Sequence, residues 1–128
     1  MTIALNLPLP PSVNGLYRNA GGGGRVLTKD YRAWIKAADG AIQLQKQGQK
    51  RISGNFIAHI ILDEAKRRGD IDNRAKAVLD RLGGWDLTDD DKHCDRVTIE
   101  WGQIDMDVEH VPSECRVYVW AAQGEPMK

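Results

Sequence analysis

Cysteine, phenylalanine and long apolar runs are scarce in this sequence. Its 128 residues include two cysteines, Cys94 and Cys115, without Cys-x-x-Cys spacing. This excludes a disulfide scaffold and a cysteine-based zinc site, and it favours reduced core thiols in a cytoplasmic protein. No apolar run is long enough to cross a bilayer, so no membrane association is expected. Residues 1–11 lack a basic region and are interrupted by prolines, which argues against a signal peptide.

Net charge is also absent, but the balance hides an asymmetry. Residues 1–53 carry eight lysines and arginines against two acids, whereas residues 54–128 carry ten against sixteen. A zero total argues weakly against a nucleic-acid-binding protein. Opposed halves, however, suit a metal-dependent enzyme that acts on a polyanion, because cations bind phosphates and carboxylates bind metal. Solvated surface in both halves would explain the same counts.

The patterns predict a single α/β (α+β) domain over residues 1–128, with a small mixed sheet and two main helices in the order β-α-β-α-β-β. Apolar alternation predicts strands over residues 3–7, 56–62, 97–101 and 115–120, and helical spacing predicts helices over 29–47 and 70–82. The strand over 56–62 is apolar on both faces and is therefore expected to be central. Residues 12–24 are predicted to be a loop, and their four glycines lack the Lys-Ser/Thr of a P-loop.

A group of aspartates forms the candidate catalytic site. Asp70 and Asp72 lie two residues apart at the expected start of the second helix, and Lys76 follows Asp72 by one helical turn. Asp90 and Asp91 close an acidic run that begins at Asp89. Mg²⁺ prefers carboxylate oxygens, and a lysine beside them can orient water or neutralise charge on a phosphate. Helix capping by one aspartate and a solvated acidic loop are the structural alternatives.

These residues resemble a known family. The segment Gly-Asp-Ile-Asp-Asn-Arg-Ala-Lys over residues 69–76, Leu-Asp at 79–80 and the Asp90-Asp91 pair are similar to RusA-type Holliday junction resolvases. The opening Leu-Pro-Leu-Pro-Pro-Ser-Val-Asn over residues 7–14, followed by Tyr17-Arg18, is a second match. The resemblance extends from about residue 3 to residue 119.

The resemblance implies a homodimer that binds a four-way DNA junction and nicks two strands symmetrically, in recombination and repair. It implies Mg²⁺ as cofactor, with Mn²⁺ as a possible substitute, and a phage or prophage origin is common in the family. By position, Asp70, Asp72, Lys76 and Asp91 would be catalytic. Asp70, Asp72 and Asp91 would also hold the metal, with Asp90 as the other choice for the third carboxylate.

Basic side chains near the expected site are candidate DNA contacts. They are Arg18, Arg25, Lys66, Arg67, Arg68 and Arg74. For residues 66–68, a solvated turn explains the charges equally well. The four tryptophans are expected to pack in the core or in loops, and Trp85 is the best placed of them to touch DNA.

Three other functions fit parts of the sequence. Glu64 and Lys66, with Asp63 nearby, form the short Glu-x-Lys pattern of restriction-type nucleases, but that choice leaves residues 70–76 unexplained. A non-catalytic module that only binds branched DNA would use the acids structurally. A histidine-dependent nuclease is disfavoured because His59, His93 and His110 are scattered without metal-ligand spacing.

Overall fold

The computed structural model describes residues 2–12, 17–19, 25–71 and 74–123, with the backbone alone at residues 17–19 and 25. The elements are β1 (Thr2–Leu7), β2 (Tyr17–Asn19), β3 (Arg25–Leu27), α1 (Lys29–Gln45), β4 (Phe56–Asp63), α2 (Ala75–Gly84), β5 (Cys94–Gly102) and β6 (Cys115–Ala121). Short 3-10 turns, Glu64–Lys66 and Asp91–His93, precede α2 and β5. The mixed α/β class predicted from the sequence is confirmed.

One four-stranded sheet has the order β1-β6-β4-β5. β4 is central as predicted, pairing in parallel with β5 and antiparallel with β6. Leu5 lies opposite Val117, and Val117 lies opposite Ile60, so the buried residues of neighbouring strands share one face. The central position explains why β4 is apolar throughout: both of its faces are at least half-covered.

The two helices supply the other half of the core. Thr28 caps α1 by accepting a hydrogen bond from the Tyr31 amide at 3.1 Å, as its sequence position predicts. The buried helix residues join the buried sheet face in one cluster; they are Tyr31, Trp34, Ala38, Ala41 and Ile42 from α1, with Ala77, Val78, Leu79 and Leu82 from α2. Cys94 and Cys115 are free thiols, and Cys115 is wholly buried.

Two expectations about local structure are corrected. The predicted loop over 12–24 contains β2, which pairs with β3 in a small hairpin. Three-residue strands carry too little alternation to be predicted, and their pairing defines them. The second helix begins at Ala75 rather than at residue 70, because the chain before it is held by tertiary hydrogen bonds. None of the described helices is long and apolar enough to cross a membrane.

Candidate active site

The loop that carries Asp70 is fixed by Arg74. The Arg74 guanidinium donates to the carbonyl oxygens of Asp70 at 2.9 Å, Arg68 at 2.8 Å and Pro10 at 2.6 Å. Gly69 has a φ of 62°, and a Cβ there would lie 3.3 Å from Arg74 Nη2. Glycine is therefore favoured at this turn, both by its backbone conformation and by the close approach of the guanidinium. The result is a fixed backbone under an exposed Asp70.

Arg74 itself is only 5 % exposed. Burial lowers the pKa of its guanidinium, and its donors are directed at carbonyl oxygens inside the protein. The expectation that Arg74 contacts DNA does not fit this burial, and its observed role is structural. Because the helix begins after Arg74, Asp70 is not the N-cap of α2. Asp72 lies outside the described residues, so its position relative to Asp70 and Lys76 remains a prediction.

Lys76, in the first turn of α2, lies between two carboxylates. Its Nζ is 3.4 Å from an oxygen of Asp80 and 3.8 Å from an oxygen of Asp91. Asp80 follows one helical turn later, and Asp91 approaches from the 3-10 turn before β5. The structure thus brings together the predicted Lys76 and Asp91. It also places Asp80 in the same cluster, through its contact with Lys76.

Asp80 and Asp91 of this cluster line an open pocket of about 320 Å³. The pocket is lined by Arg51, Leu79, Asp80, Gly83, Asp86, Thr88, Asp89, Asp90 and Asp91. Backbone bonds position the acidic segment that forms one wall. The Leu87 amide donates to the carbonyl of Leu82 at 3.0 Å, and the Ile52 amide donates to the carbonyl of Leu87 at 2.9 Å. Buried Leu87 therefore anchors a segment whose acids face water.

The neighbouring carboxyls Asp90 and Asp91 perturb each other. Their mutual hydrogen bond, together with burial and the nearby charge of Asp80, raises the pKa of Asp91, and Lys76 opposes that rise. The same bond and the Lys92 amide lower the pKa of Asp90. Two carboxyls in contact repel each other when both are ionised, which is why the pKa values of the pair move in opposite directions.

Asp89, the first acid of the run over residues 89–91, binds groups of the protein itself, so it is not a candidate for the third carboxylate. Its carboxylate accepts from the Gly54 amide at 2.7 Å and forms an ion pair with Arg51. The Gly54 amide and then Arg51 lower its pKa. Asp89 therefore joins the loop before β4 to the loop after α2, and Asp90 and Asp91 are left as the candidates for the third carboxylate.

Arg51 is a residue of this pocket to which the sequence analysis assigned no function. Its guanidinium binds Asp86 at 2.9 Å, Ser53 Oγ at 2.6 Å and Asp89. The hydrogen bonds that the guanidinium donates to Asp86 and Asp89 raise its pKa. No motif surrounds Arg51 in the sequence, and the partners that place it at the acidic pocket lie more than thirty residues away. Only its charge could have suggested a role.

Of the other candidate DNA contacts, three have side chains that the structure describes and two do not. Lys66 and Arg67 are exposed; they form ion pairs with Glu114 at 3.9 Å and with Glu64 at 4.0 Å. Arg68 is also exposed. Arg18 and Arg25 lie on the β2–β3 hairpin, where Arg18 pairs in register with Val26 and Arg25 with Asn19. Their side chains are outside the described structure.

The geometry does not support a restriction-type site at Glu64 and Lys66. Asp63 caps the short 3-10 turn by accepting from the Ala65 amide at 3.0 Å, and Glu64 and Lys66 pair with the separate partners given above. Within residues 2–12, 17–19, 25–71 and 74–123, no three histidine, cysteine, aspartate or glutamate side chains are grouped closely enough to hold a metal. That finding covers Glu64 and equally the described acids Asp70, Asp80, Asp90 and Asp91; a site that includes Asp72 lies outside it.

The wider comparison with known proteins decides the family. Residues 8–119 match the family Endodeoxyribonuclease RusA. The chain belongs to the RusA endodeoxyribonuclease family. The matched range contains the whole acidic pocket and the loop of Asp70, and it confirms the resemblance seen in the sequence. A comparison with curated proteins gave no match. The fold and the pocket described above are thus those of a RusA family member.

Proposed function

We propose that this RusA family member is a Mg²⁺-dependent endonuclease that resolves four-way DNA junctions as a homodimer, by paired symmetric nicks. The observation that carries the proposal is the position of Lys76 between Asp80 and Asp91, two carboxylates that line an open acidic pocket. A lysine in contact with two carboxylates at a surface opening suits a reaction that handles a phosphate and a cation together.

The residues present fit a hard divalent cation by their donor chemistry. Asp90 and Asp91 are neighbouring carboxyls, and their interaction raises the pKa of Asp91 and lowers that of Asp90. A bound cation reduces the repulsion within such a pair. Asp91, with Asp70 and Asp72, would hold Mg²⁺, and Mn²⁺ is a plausible substitute since it takes the same ligands. When bound, the ion supplies Lewis acidity towards the phosphate and lowers the pKa of water.

The protein's own residues then have distinct tasks. Lys76 neutralises charge that develops on the phosphate, and Asp80 orients Lys76 through their contact at 3.4 Å. Arg74 keeps the backbone of the Asp70 loop in place. Lys66, Arg67 and Arg68 lie exposed on the segment before that loop, where they would contact phosphates of the junction arms, as would Arg18 and Arg25 on the hairpin. The reaction is expected to take place in the cytoplasm.

A cleavage assay tests this proposal. A labelled synthetic four-way junction and a linear duplex of matched sequence are incubated with the protein, with Mg²⁺ or EDTA, beside the Asp72→Asn variant. Paired nicks on the junction alone, lost with EDTA and in the variant, are expected. Sedimentation with and without junction measures the dimer. Tight junction binding without cleavage at any metal concentration would refute the enzyme and leave a binding module.

A further inference from the structure

A second pocket adjoins the acidic one and has different chemistry. It has a volume of about 510 Å³, within the range of small-molecule sites, and is lined chiefly by Gln43, Lys46, Gln47, Gln49, Arg51 and Trp85. The acidic pocket and this second pocket share Arg51 and Asp86 in their walls. We call it the Trp85 pocket. A strand that places a phosphate in the acidic pocket would therefore pass directly beside it.

The indole of Trp85 is held in a fixed orientation. Its Nε1 donates to Asp39 Oδ1 at 2.8 Å, and the Asp39 carboxylate is held in turn by Arg81 at 3.0 and 3.3 Å. This chain of bonds connects α1 to the end of α2. A tryptophan that only filled a core would be buried, as Trp34 is, whereas Trp85 is half-buried and lines an open pocket.

Cationic and amide groups complete the pocket. The Lys46 ammonium lies 5.0 Å from the centroid of the Trp85 ring, and its exposed four-carbon stem allows it to turn towards a phosphate and uncover the ring. Gln43 and Gln47 are exposed on α1 and the turn after it, and their amides offer both donors and acceptors. An aromatic face, an ammonium and amides are the groups that recognise a nucleotide: stacking for the base, charge for the phosphate.

We propose that the Trp85 pocket binds an unstacked nucleotide of the DNA strand that enters the acidic pocket, with Trp85 as the stacking platform and Lys46 on the phosphate. This inference rests on the proposed function, because it takes DNA as the substrate. In a linear duplex the bases are stacked inside the helix and cannot enter the pocket. A branch point or a single strand exposes them, so the pocket favours branched or unpaired DNA over linear duplex.

Binding without cleavage gives the test. The full-length protein in EDTA is titrated with a single-stranded oligothymidylate while tryptophan emission is followed. Quenching is expected in the wild type and in Trp120→Phe, which alters a tryptophan on β6, and it is expected to be mostly lost in Trp85→Phe. Trp85→Ala is expected to weaken binding about tenfold, within the range found for losing one stacked base. Lys46→Gln is expected to reduce the salt slope of binding by about 0.7, the value for one phosphate contact on a single strand.

The outcomes are decisive in both directions. Quenching that persists in Trp85→Phe, wild-type affinity in a Trp85→Ala protein with unchanged circular dichroism, or no binding of the oligonucleotide by the wild type would each overturn the proposal. If Trp85→Ala does not fold, the quenching of Trp85→Phe and the salt slope of Lys46→Gln decide. A chain that binds the oligonucleotide through Trp85 yet cuts no junction would refute the proposed enzyme and leave the nucleotide pocket standing.

Discussion

Two basic residues at the start of α2, Arg74 and Lys76, have different surroundings. Arg74 is buried and bonded to three neutral carbonyl oxygens, whereas Lys76, two residues on, is exposed beside two carboxylates. A buried guanidinium with its donors satisfied holds a loop together. An exposed ammonium among acids contributes little to folding and remains available for chemistry. The surroundings of each cation, rather than its charge, therefore assign its role.

The largest expected effect falls on the carboxylates beside Lys76. We expect Asp91→Asn to reduce junction cleavage by about 1,000-fold, comparable with the upper range for removing one electrostatic contact of a preorganised site. Asp90→Asn is the matched control and should cost less than about tenfold. Single-turnover cleavage with saturating Mg²⁺ measures both. If Asp90→Asn is the more damaging variant, the third carboxylate is Asp90, and the contact between Lys76 and Asp91 is not the functional one.

Arg74 is expected to matter for stability first. Arg74→Met removes three hydrogen bonds and leaves the carbonyl oxygens of the loop without their donor, which should cost about 3 kcal/mol of unfolding free energy. Urea denaturation of the variant beside the exposed Arg68→Met measures this. Arg68→Met should stay within about 0.5 kcal/mol of the wild type. Equal stability of Arg74→Met and the wild type would contradict the structural role given to the guanidinium.

Lys76 should show the opposite behaviour. Lys76→Met is expected to slow cleavage about 100-fold, because a charge that meets the phosphate is lost, while its denaturation midpoint stays close to that of the wild type. Lys92→Met, which changes an exposed lysine on the turn of Asp91, serves as control. A Lys76→Met protein that loses stability but retains its cleavage rate would remove the distinction between the two residues.

Asp80 should have a smaller effect, since it acts through Lys76. Asp80→Asn is expected to reduce cleavage about tenfold, in the range found for partners of active-site groups. The double variant Asp80→Asn with Lys76→Met should be no slower than Lys76→Met alone. Additive losses in the cleavage rate would instead indicate that Asp80 contacts the metal or the substrate independently.

The smallest effect is expected at Glu64. Glu64→Gln removes only an exposed ion pair with Arg67 and should change cleavage by less than about twofold. The same junction assay measures it. A loss comparable with that of Asp91→Asn would revive the restriction-type alternative and would weaken the assignment of the site to α2.

Much of the fold was predictable because its signals are local. Apolar alternation in β1, β4, β5 and β6 and the Thr28 cap of α1 are properties of short segments, and the structure confirms them. The start of α2 was placed too early. The Arg74 side chain binds the carbonyl oxygens of Arg68 and Asp70 and also that of Pro10, and no local sequence pattern indicates such a contact.

The sequence by itself indicated the family and the mixed sheet, and it offered Lys76 and Asp91 as candidate site residues, because spacing and residue type carry these signals. Tertiary structure alone decided that Arg74 is buried, that Asp91 lies beside Lys76, and that Asp89 is bound by Arg51 and Gly54. It also placed Trp85, at the end of α2, beside Lys46, at the end of α1. The physical reason is the same in each case: these roles depend on neighbours brought together by packing, and burial and distance have no signature in a linear pattern.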